Sequence, residues 1–178
     1  MIINLFGYLI KLQLPLRLIL SAQERIMFLT SKNFSTHIDL PTGYEEKSFC
    51  NSDYPALLEL YRKCGFQFNL KSLRQAIVLC IPDGVNLIVT KTDGKIVAVM
   101  MARHLPFFDT VSCGRIDWLA VDPCVRGIGL GRLAATMATN SLLRAGYATI
   151  WVTTQSKRSD ALKIFEAIGF TQRTQDFL

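Results

Sequence analysis

The sequence has few histidines and no closely spaced pair of cysteines. Its two histidines, His37 and His104, are too few for a histidine-rich metal site. The cysteines are five, an odd number, and they are widely spaced, at positions 50, 64, 80, 113 and 124. This pattern argues against a disulfide framework and against a zinc site. We therefore expect reduced thiols, no bound metal and a cytoplasmic protein.

Runs of like charge are also missing. Twenty basic and fourteen acidic residues give a net charge of +6 at pH 7, but the basic residues are scattered along the chain. Because no run of basic residues forms an arm, we expect no nucleic-acid partner. The net charge of +6 is interpreted as that of a mildly basic protein. Of the 178 residues, 50% are hydrophobic and 19% are charged. This balance predicts a globular chain with a full hydrophobic core.

A long uncharged hydrophobic run is absent too. The first twenty residues, MIINLFGYLIKLQLPLRLIL, are apolar but are interrupted by Lys11, Pro15 and Arg17. A membrane span needs about 20 apolar residues with few charges. A signal peptide needs positive charge at its front, which is missing here. We therefore expect no stable membrane anchoring.

The same segment sets the predicted domain boundary. Residues 1–30 are interpreted as an N-terminal extension, which is either disordered or the result of a mis-assigned start upstream of Met27. Residues 31–178 show no internal repeat and no low-complexity linker, so they are interpreted as one domain.

The order of predicted elements points to a mixed sheet. Two apolar runs flank Asp93-Gly94, which is a strong hairpin signal. Apolar residues at helical spacing predict two helices between residues 54 and 80, after an N-cap cluster at 51–53. The full order is strand 43–50, the two helices, strands 86–91 and 95–104, strand 115–121, a helix ending near 145, strand 148–154, helix 159–168 and a short last strand. This is an antiparallel meander followed by a βαβ unit, an α/β fold with helices on both faces of the sheet.

Three glycines stand at alternate positions in VRGIGLGR, residues 125–132. They follow a predicted strand and open a predicted helix, whose N-terminus is a site for anions. Gly127, Gly129 and Gly131 are expected to keep Cβ atoms away from a ligand, and Arg126 and Arg132 can donate to phosphate oxygens. A pyrophosphate cradle is predicted. The spacing matches neither the P-loop, which needs GxxxxGK[ST], nor the dinucleotide fingerprint GxGxxG.

The stretch VDPCVRGIGLGR resembles the acetyl-CoA-binding signature of the GNAT N-acetyltransferases, [Q/R]xxGx[G/A]. Arg126 is its first member, and Gly129 and Gly131 are its glycines. Downstream, Ala161, Phe165 and Gly169-Phe170 are similar to the second block of the family, and the similarity covers about residues 43–175. The form TTxxxR, ending at Arg158, is locally similar to the subset related to mycothiol synthase.

This resemblance implies an activity and a binding site. It implies transfer of an acetyl group from acetyl-CoA to a primary amine of a small molecule or peptide, by direct attack on the thioester. The cosubstrate would lie between strands 115–121 and 148–154. The implied cofactor-binding residues are Leu119, Ala120, Val121, Arg126, Gly127, Ile128, Gly129, Leu130, Gly131, Arg132, Arg158 and Phe165. The alternative is a GNAT-like module that binds acyl-CoA with weak or no catalysis.

The proton-transfer groups follow less directly from the residues. Asp117 has the same strand parity as Leu119 and Val121, and it is the candidate general base. Phe165 stands where the family often has a tyrosine, and phenylalanine cannot donate a proton. Tyr147, Ser159 or water are the alternatives for the acid.

The oligomeric state is linked to the end of the chain. The chain ends eight residues after Phe170, whereas many family members continue into a further strand that closes the acceptor side. Either the cleft is more open here, or a second copy completes it as a homodimer.

Overall fold

The computed structural model describes residues 24–30, 39–104 and 113–172. The strands are β1 (Glu24–Thr30), β2 (Tyr44–Ser48), β3 (Cys80–Thr90), β4 (Ile96–His104), β5 (Cys113–Val121), β6 (Thr149–Gln155) and β7 (Thr171–Gln172). The α-helices are α1 (Tyr54–Lys63), α2 (Leu70–Val78), α3 (Leu130–Arg144) and α4 (Ser159–Ala167). Two short 3-10 helices, Asn51–Asp53 and Pro123–Val125, precede α1 and α3.

The described strands form one mixed sheet. Its order is β2-β3-β4-β5-β6-β1-β7. Strands β2 to β5 are an antiparallel meander, and β5 and β6 are parallel, joined through α3. The Gly94 N–H donates to the Thr90 carbonyl at 2.9 Å in the turn between β3 and β4. The α/β fold, the meander and the βαβ unit predicted from the sequence are confirmed.

Each face of the sheet has its own hydrophobic core. On one face α3 and α4 cover apolar side chains that include Ile116, Ile150 and Val152. We call this the α3 face. On the other, α1 and α2 cover a second cluster that includes Val99 and Met101. We call it the α1 face. The prediction of helices on both faces is therefore confirmed.

The element that the sequence prediction missed is β1. It pairs antiparallel with β6 along its whole length, from Glu24↔Gln155 to Thr30↔Thr149. It lies inside the segment predicted to be an extension, and a start at Met27 would remove its first three residues. The edge of β6 that does not face β5 is thus covered by a strand of the same chain. The remainder of the predicted extension, residues 1–23, lies outside the described residues.

The described helices are short or interrupted by polar residues. None of them combines the length and the hydropathy that crossing a bilayer requires.

Candidate functional site

The parallel strands β5 and β6 pair at one end only. Their register runs from Cys113↔Thr149 to Arg115↔Trp151 and then stops. Both strands nevertheless continue, β5 to Val121 and β6 to Gln155. Each strand rises about 3.3 Å per residue, so the six residues of β5 after Arg115 leave roughly 20 Å of backbone without its parallel neighbour. This separation opens the sheet where the sequence analysis expects the cosubstrate.

A cavity of about 390 Å³ lies beside the separated part of β6. Its wall is formed by the loop after α1, the C-terminal half of β6 and the start of α4. The lining residues are Cys64, Gly65, Phe66, Thr153, Thr154, Gln155, Lys157 and Arg158. Among these described residues two are basic and none is acidic, so the cavity is suited to an anionic ligand. The Arg158 guanidinium lies 5.8 Å from the centre of the Phe66 ring.

The glycine loop leads into α3, and two of its glycines are required by backbone conformation. Gly127 has φ +87° and Gly129 has φ +91°, a left-handed region that residues with a Cβ rarely adopt. Nothing lies within 4 Å of a Cβ placed at either position. Gly129 is the N-cap of α3, so the first N–H groups of the helix have no acceptor within the helix. Open space in front of these donors is what an anion needs.

Gly131 has a different reason for being small. A Cβ there would lie 3.0 Å from Ile164 Cδ1 on α4. The expectation that this glycine clears the path of a ligand is wrong, because it makes room for the packing of α4 on α3. Its backbone N–H still lies in the first turn of α3 and stays a candidate donor. Arg132 follows it, exposed to solvent.

Arg126 ties the glycine loop to the end of β5. Its Nε donates to the Val121 carbonyl at 3.1 Å, and its Nη2 lies 3.7 Å from Cys64 Sγ. The Cys64 thiol donates to the same carbonyl at 3.2 Å. The side chain is exposed, so its remaining N–H groups are available to a ligand.

A β-bulge distorts β5 in its separated part. Val99 pairs with Ala120 and Met101 with Asp117, so two residues of β5 face one of β4. Trp118, in the bulge, has φ +55°, an outlier for a bulky residue. Its carbonyl accepts a hydrogen bond of 3.0 Å from the Tyr61 hydroxyl. Tyr61 is fully buried, and burial raises the pKa of its hydroxyl well above the usual range, so it stays a neutral donor.

The bulge changes which side chains share a face. Leu119 and Val121 pack against the core of the α3 face. Asp117 lies beside Met101, which belongs to the core of the α1 face. The predicted common parity of Asp117 with Leu119 and Val121 is therefore wrong, because the extra residue inverts the alternation.

Asp117 is held by two arginines. Its Oδ2 accepts from Arg103 Nη1 at 2.8 Å, and its Oδ1 accepts from Arg115 Nε at 2.7 Å. The residue is 6% exposed. The two guanidinium groups and the carboxylate together carry a net charge of +1. This charge repels an approaching ammonium group. This placement speaks against a proton-accepting role for Asp117.

Asp122 shapes the turn between β5 and the glycine loop. Its carboxylate, 2% exposed, accepts from the Cys124 N–H at 3.0 Å and pairs with Lys95 at 3.2 Å and with Lys63 at 3.7 Å. The hydrogen bond from Cys124 and the two ammonium groups lower the pKa of this carboxyl, although burial opposes them.

Of the alternatives for the acid, Ser159 begins α4 directly after the lining residue Arg158 but is not itself among the described residues that line the cavity. Phe165 is 3% exposed and lies in the core of the α3 face, with its ring 5.8 Å from that of Phe170. Tyr147 contacts His104 at 2.8 Å between its hydroxyl and Nδ1. It precedes the paired end of β6, at the opposite end of that strand from the cavity, so the structure does not bring this alternative for the acid to the cavity.

Cys64, Gly65 and Phe66, which line the cavity after α1, are not among the predicted site residues. Nothing in the local sequence of Cys64, Gly65 and Phe66 indicates a site, because their role depends on where α1 ends above the sheet. The alternation in TIWVTT, by contrast, does place Trp151 and Thr153 on the face opposite Ile150 and Val152. Among the described residues, no group of three His, Cys, Asp or Glu side chains gathers where it could hold a metal ion.

Comparisons with known proteins find a matching family model and a shared fold. The sequence model of the acetyltransferase (GNAT) family matches residues 54–170. Mycothiol acetyltransferase from Thermomonospora curvata is 25% identical over 96 residues, which are 54% of this chain and 31% of that protein. The chain thus spans about a third of the length of this curated relative.

Solved structures share the fold. A GCN5-related N-acetyltransferase from Sphaerobacter thermophilus superimposes with a TM-score of 0.69 at 19% identity, over 84% of this chain and 48% of that one. A chain of the NatC complex bound to Gag peptide and CoA gives a TM-score of 0.66 at 18% identity, over 75% of this chain and 87% of that one.

Proposed function

The chain belongs to the acetyltransferase (GNAT) family, and we propose that it transfers the acetyl group of acetyl-CoA to a primary amine. The family implies acyl transfer from an acyl-CoA to an amine. The observation that carries the proposal is the separation of β5 from β6 after Arg115↔Trp151, directly beside the glycine loop. A parallel pair inside a sheet loses its ladder only at a cost in hydrogen bonds, which a bound ligand with amide groups can replace.

The cosubstrate is assigned to two stretches of backbone. The pantetheine amides pair with the separated part of β5, and the pyrophosphate binds the N–H groups of the glycine loop and the first turn of α3. Arg126 and Arg132 supply positive charge there, and Arg158 supplies it from the cavity wall. The backbone positions in this assignment are Leu119, Ala120, Val121, Gly127, Ile128, Gly129, Leu130 and Gly131.

The bulge in β5 provides a donor for the thioester. A bulge leaves backbone groups outside the ladder, here at Trp118 and Leu119. An N–H group directed at the thioester oxygen stabilises the negative charge that develops when the amine attacks. The hydrogen bond from Tyr61 to the Trp118 carbonyl fixes the orientation of this peptide group.

The reaction needs no covalent enzyme intermediate. The neutral amine attacks the thioester carbonyl, a C–N bond forms, the C–S bond breaks, and the CoA thiolate leaves. No tyrosine is among the described residues that line the cavity, and Phe165 has no proton to give. Water therefore takes the proton of the amine and protonates the thiolate, which is a tolerable leaving group because free thiols such as cysteine have a pKa of about 8.5. Asp117 is assigned to positioning Arg103 and Arg115.

The second candidate function is an acyl-CoA-binding module with little turnover. It is favoured by Phe165, which is buried in the core where the family often has a tyrosine. Both functions require acyl-CoA to bind, and only the first requires an amine to be consumed.

Calorimetric titration with acetyl-CoA tests both candidates. We expect saturable binding, and we expect Arg126→Ala to weaken it about tenfold or more, because a charge-assisted hydrogen bond contributes about 1.5–3 kcal/mol. Lys71→Ala, an exposed charge on α2, is the matched control and should bind like the wild type.

Release of free thiol from acetyl-CoA, measured over a panel of amines, then separates the two functions. Turnover supports the transferase, whereas tight binding without turnover supports the module. Absence of binding by the folded wild type overturns both.

A further inference from the structure

Three charged side chains on the α1 face form a cluster with more positive than negative charge. They are Arg103, Arg115 and Asp117, and we call them the arginine cluster. One carboxylate faces two guanidinium groups, at 2.8 Å and 2.7 Å. The side chains of Arg103 and Asp117 are 9% and 7% exposed. An unmatched charge with so little access to water is costly unless an anion approaches it.

The arginine cluster has hydrogen-bond donors to spare. Arg103 Nε is buried and has no acceptor among the described residues, although a guanidinium carries five N–H groups. The guanidinium of Arg103 lies 4.5 Å from the centre of the Trp118 ring, and that of Arg115 lies 4.4 Å from the centre of the Trp151 ring. These aromatic faces fix both planes, so the donors are oriented in advance.

The arginine cluster is connected to the cavity through one hydroxyl. Arg115 Nη2 donates to Thr153 Oγ1 at 3.0 Å, and Thr153 lines the cavity. Arg115 is also the most accessible member, with 18% of its side chain exposed. Lys157 and Arg158 line the same cavity, and no acidic residue is among the described residues that do so.

We propose that the amine acceptor carries a carboxylate and that the arginine cluster binds it, so that the acceptor is a small molecule of the amino-acid class. The proposal rests on the proposed function. Arg115 and the bulge at Trp118 are three residues apart on β5, about 10 Å of strand. A short molecule whose amine lies several bonds from its carboxylate therefore spans from the carboxylate site to the thioester. A cavity of about 390 Å³ fits a molecule of this size.

The same charge distribution favours the reactive form of the amine. An ammonium group is repelled by the net positive charge of the arginine cluster, whereas the neutral amine is not. A carboxylate on the acceptor supplies the missing negative charge. A carboxylate-free amine lacks this attraction and is expected to be the poorer substrate.

Matched acceptors test the proposal through turnover. Amino acids and the amines that result from their decarboxylation are compared as pairs at saturating acetyl-CoA. We expect kcat/KM for the amino acid to exceed that for the amine at least tenfold in the wild type. In Arg115→Gln this ratio should fall close to one, and Arg115→Lys, which keeps the charge but loses the planar fork, should give an intermediate ratio. Lys71→Ala should keep the wild-type ratio.

A second measurement does not depend on turnover. The protein with CoA bound is titrated with N-acetyl amino acids and with their uncharged amides. Tighter binding of the acids, lost in Arg115→Gln and weakened in Thr153→Val, supports the carboxylate site even if no amine is acetylated, in which case the proposed function alone fails. Retained CoA affinity shows that each variant is folded. Equal binding of acids and amides, or a wild type that prefers decarboxylated amines, overturns the proposal.

Discussion

Two aspartates flank the separated part of β5, and their surroundings give them different roles. Asp117 lies between two guanidinium groups on the α1 face. Asp122 caps the turn that follows β5 and pairs with two lysines. Neither carboxylate is free to accept a proton from a substrate without losing a structural contact.

Asp117→Asn distinguishes the positioning role from that of a base. The substitution leaves one buried guanidinium group, that of Arg103, and one partly buried group, that of Arg115, without a counter-charge, and we expect it to lower the free energy of unfolding by about 3–5 kcal/mol. Chemical denaturation at pH 7 measures this. Asp83→Asn is the control, because Asp83 is exposed and its φ of +54° suits asparagine. A general base without a structural role would lose activity at unchanged stability, and that result would contradict the assignment.

Asp122 should make the stability of the protein depend on pH. Its pKa is lowered in the folded state, so its contribution is complete above the unfolded pKa near 3.9 and is lost as the pH falls through the folded value. We expect Asp122→Ala to cost about 1–3 kcal/mol at pH 7. Asp122→Asn, which keeps an acceptor for the Cys124 N–H, should cost less.

The contribution of the Asp122 charge is the difference in the free energy of unfolding between the wild type and Asp122→Asn, and this difference should depend on pH. Urea unfolding from pH 7 down to pH 3 should show the free energies of the wild type and Asp122→Asn converging below about pH 4. A constant difference over this range would show that the charge of Asp122 contributes nothing to stability.

At the scale of elements, the contact of α3 with α4 depends on a missing Cβ. Gly131 lies in the first turn of α3, opposite Ile164 of α4. Gly129, two residues earlier, instead depends on its left-handed backbone. Substitution of either glycine is therefore expected to lower the stability of the protein, but for a different physical reason in each case.

Gly131→Ala should be rescued by a second substitution, and Gly129→Ala should not. Removing Cδ1 with Ile164→Val clears the contact at 3.0 Å, and alanine then gains its helix propensity of about 1 kcal/mol over glycine. Gly129→Ala should cost about 1–2 kcal/mol from its φ of +91°, with or without Ile164→Val. Thermal unfolding of the single and double variants measures the change in stability for each glycine, with and without Ile164→Val. Equal rescue of the two glycines would contradict this distinction.

Local sequence signals predicted the elements but not the distortion in β5. The turn at Asp93-Gly94 and the glycines before α3 are specified by residues within the segment itself, so they were predictable. The positive φ of Trp118 is supported by Tyr61, which is 57 residues away in the chain. The arginine cluster likewise joins β4 and β5, and its function as a unit emerges only from their register.

At the scale of the whole molecule, the sheet is completed by the first described strand. The sequence ERIMFLT of β1 falls in the segment that is predicted to be an extension, and no local pattern identifies its distant partner β6. An unpaired edge at β6 would expose a row of backbone donors and acceptors. β1 covers that edge.

Shortened chains should reveal the contribution of β1. A chain that begins at Ser31 lacks the strand, and we expect a clearly lower Tm than for a chain that begins at Glu24. A chain that begins at Met27 keeps four of the seven residues of β1 and should fall between them. Thermal unfolding at two protein concentrations measures these values and shows whether the exposed edge of β6 drives self-association. Equal Tm values for the three chains would mean that β1 adds nothing to stability.

The pairing of β1 with β6 also has a consequence for how the protein is made. During synthesis β1 leaves the ribosome first, whereas β6 follows more than 100 residues later. At about 5–20 residues per second, β1 waits roughly 5–25 s for its partner. The meander and α3 can assemble in that time, but β1 is paired only after β6 has emerged. Pairing between strands that are distant in sequence is also slow in itself. The newly made chain therefore passes through a stage in which the unpaired edges of β1 and β6 are exposed to other chains.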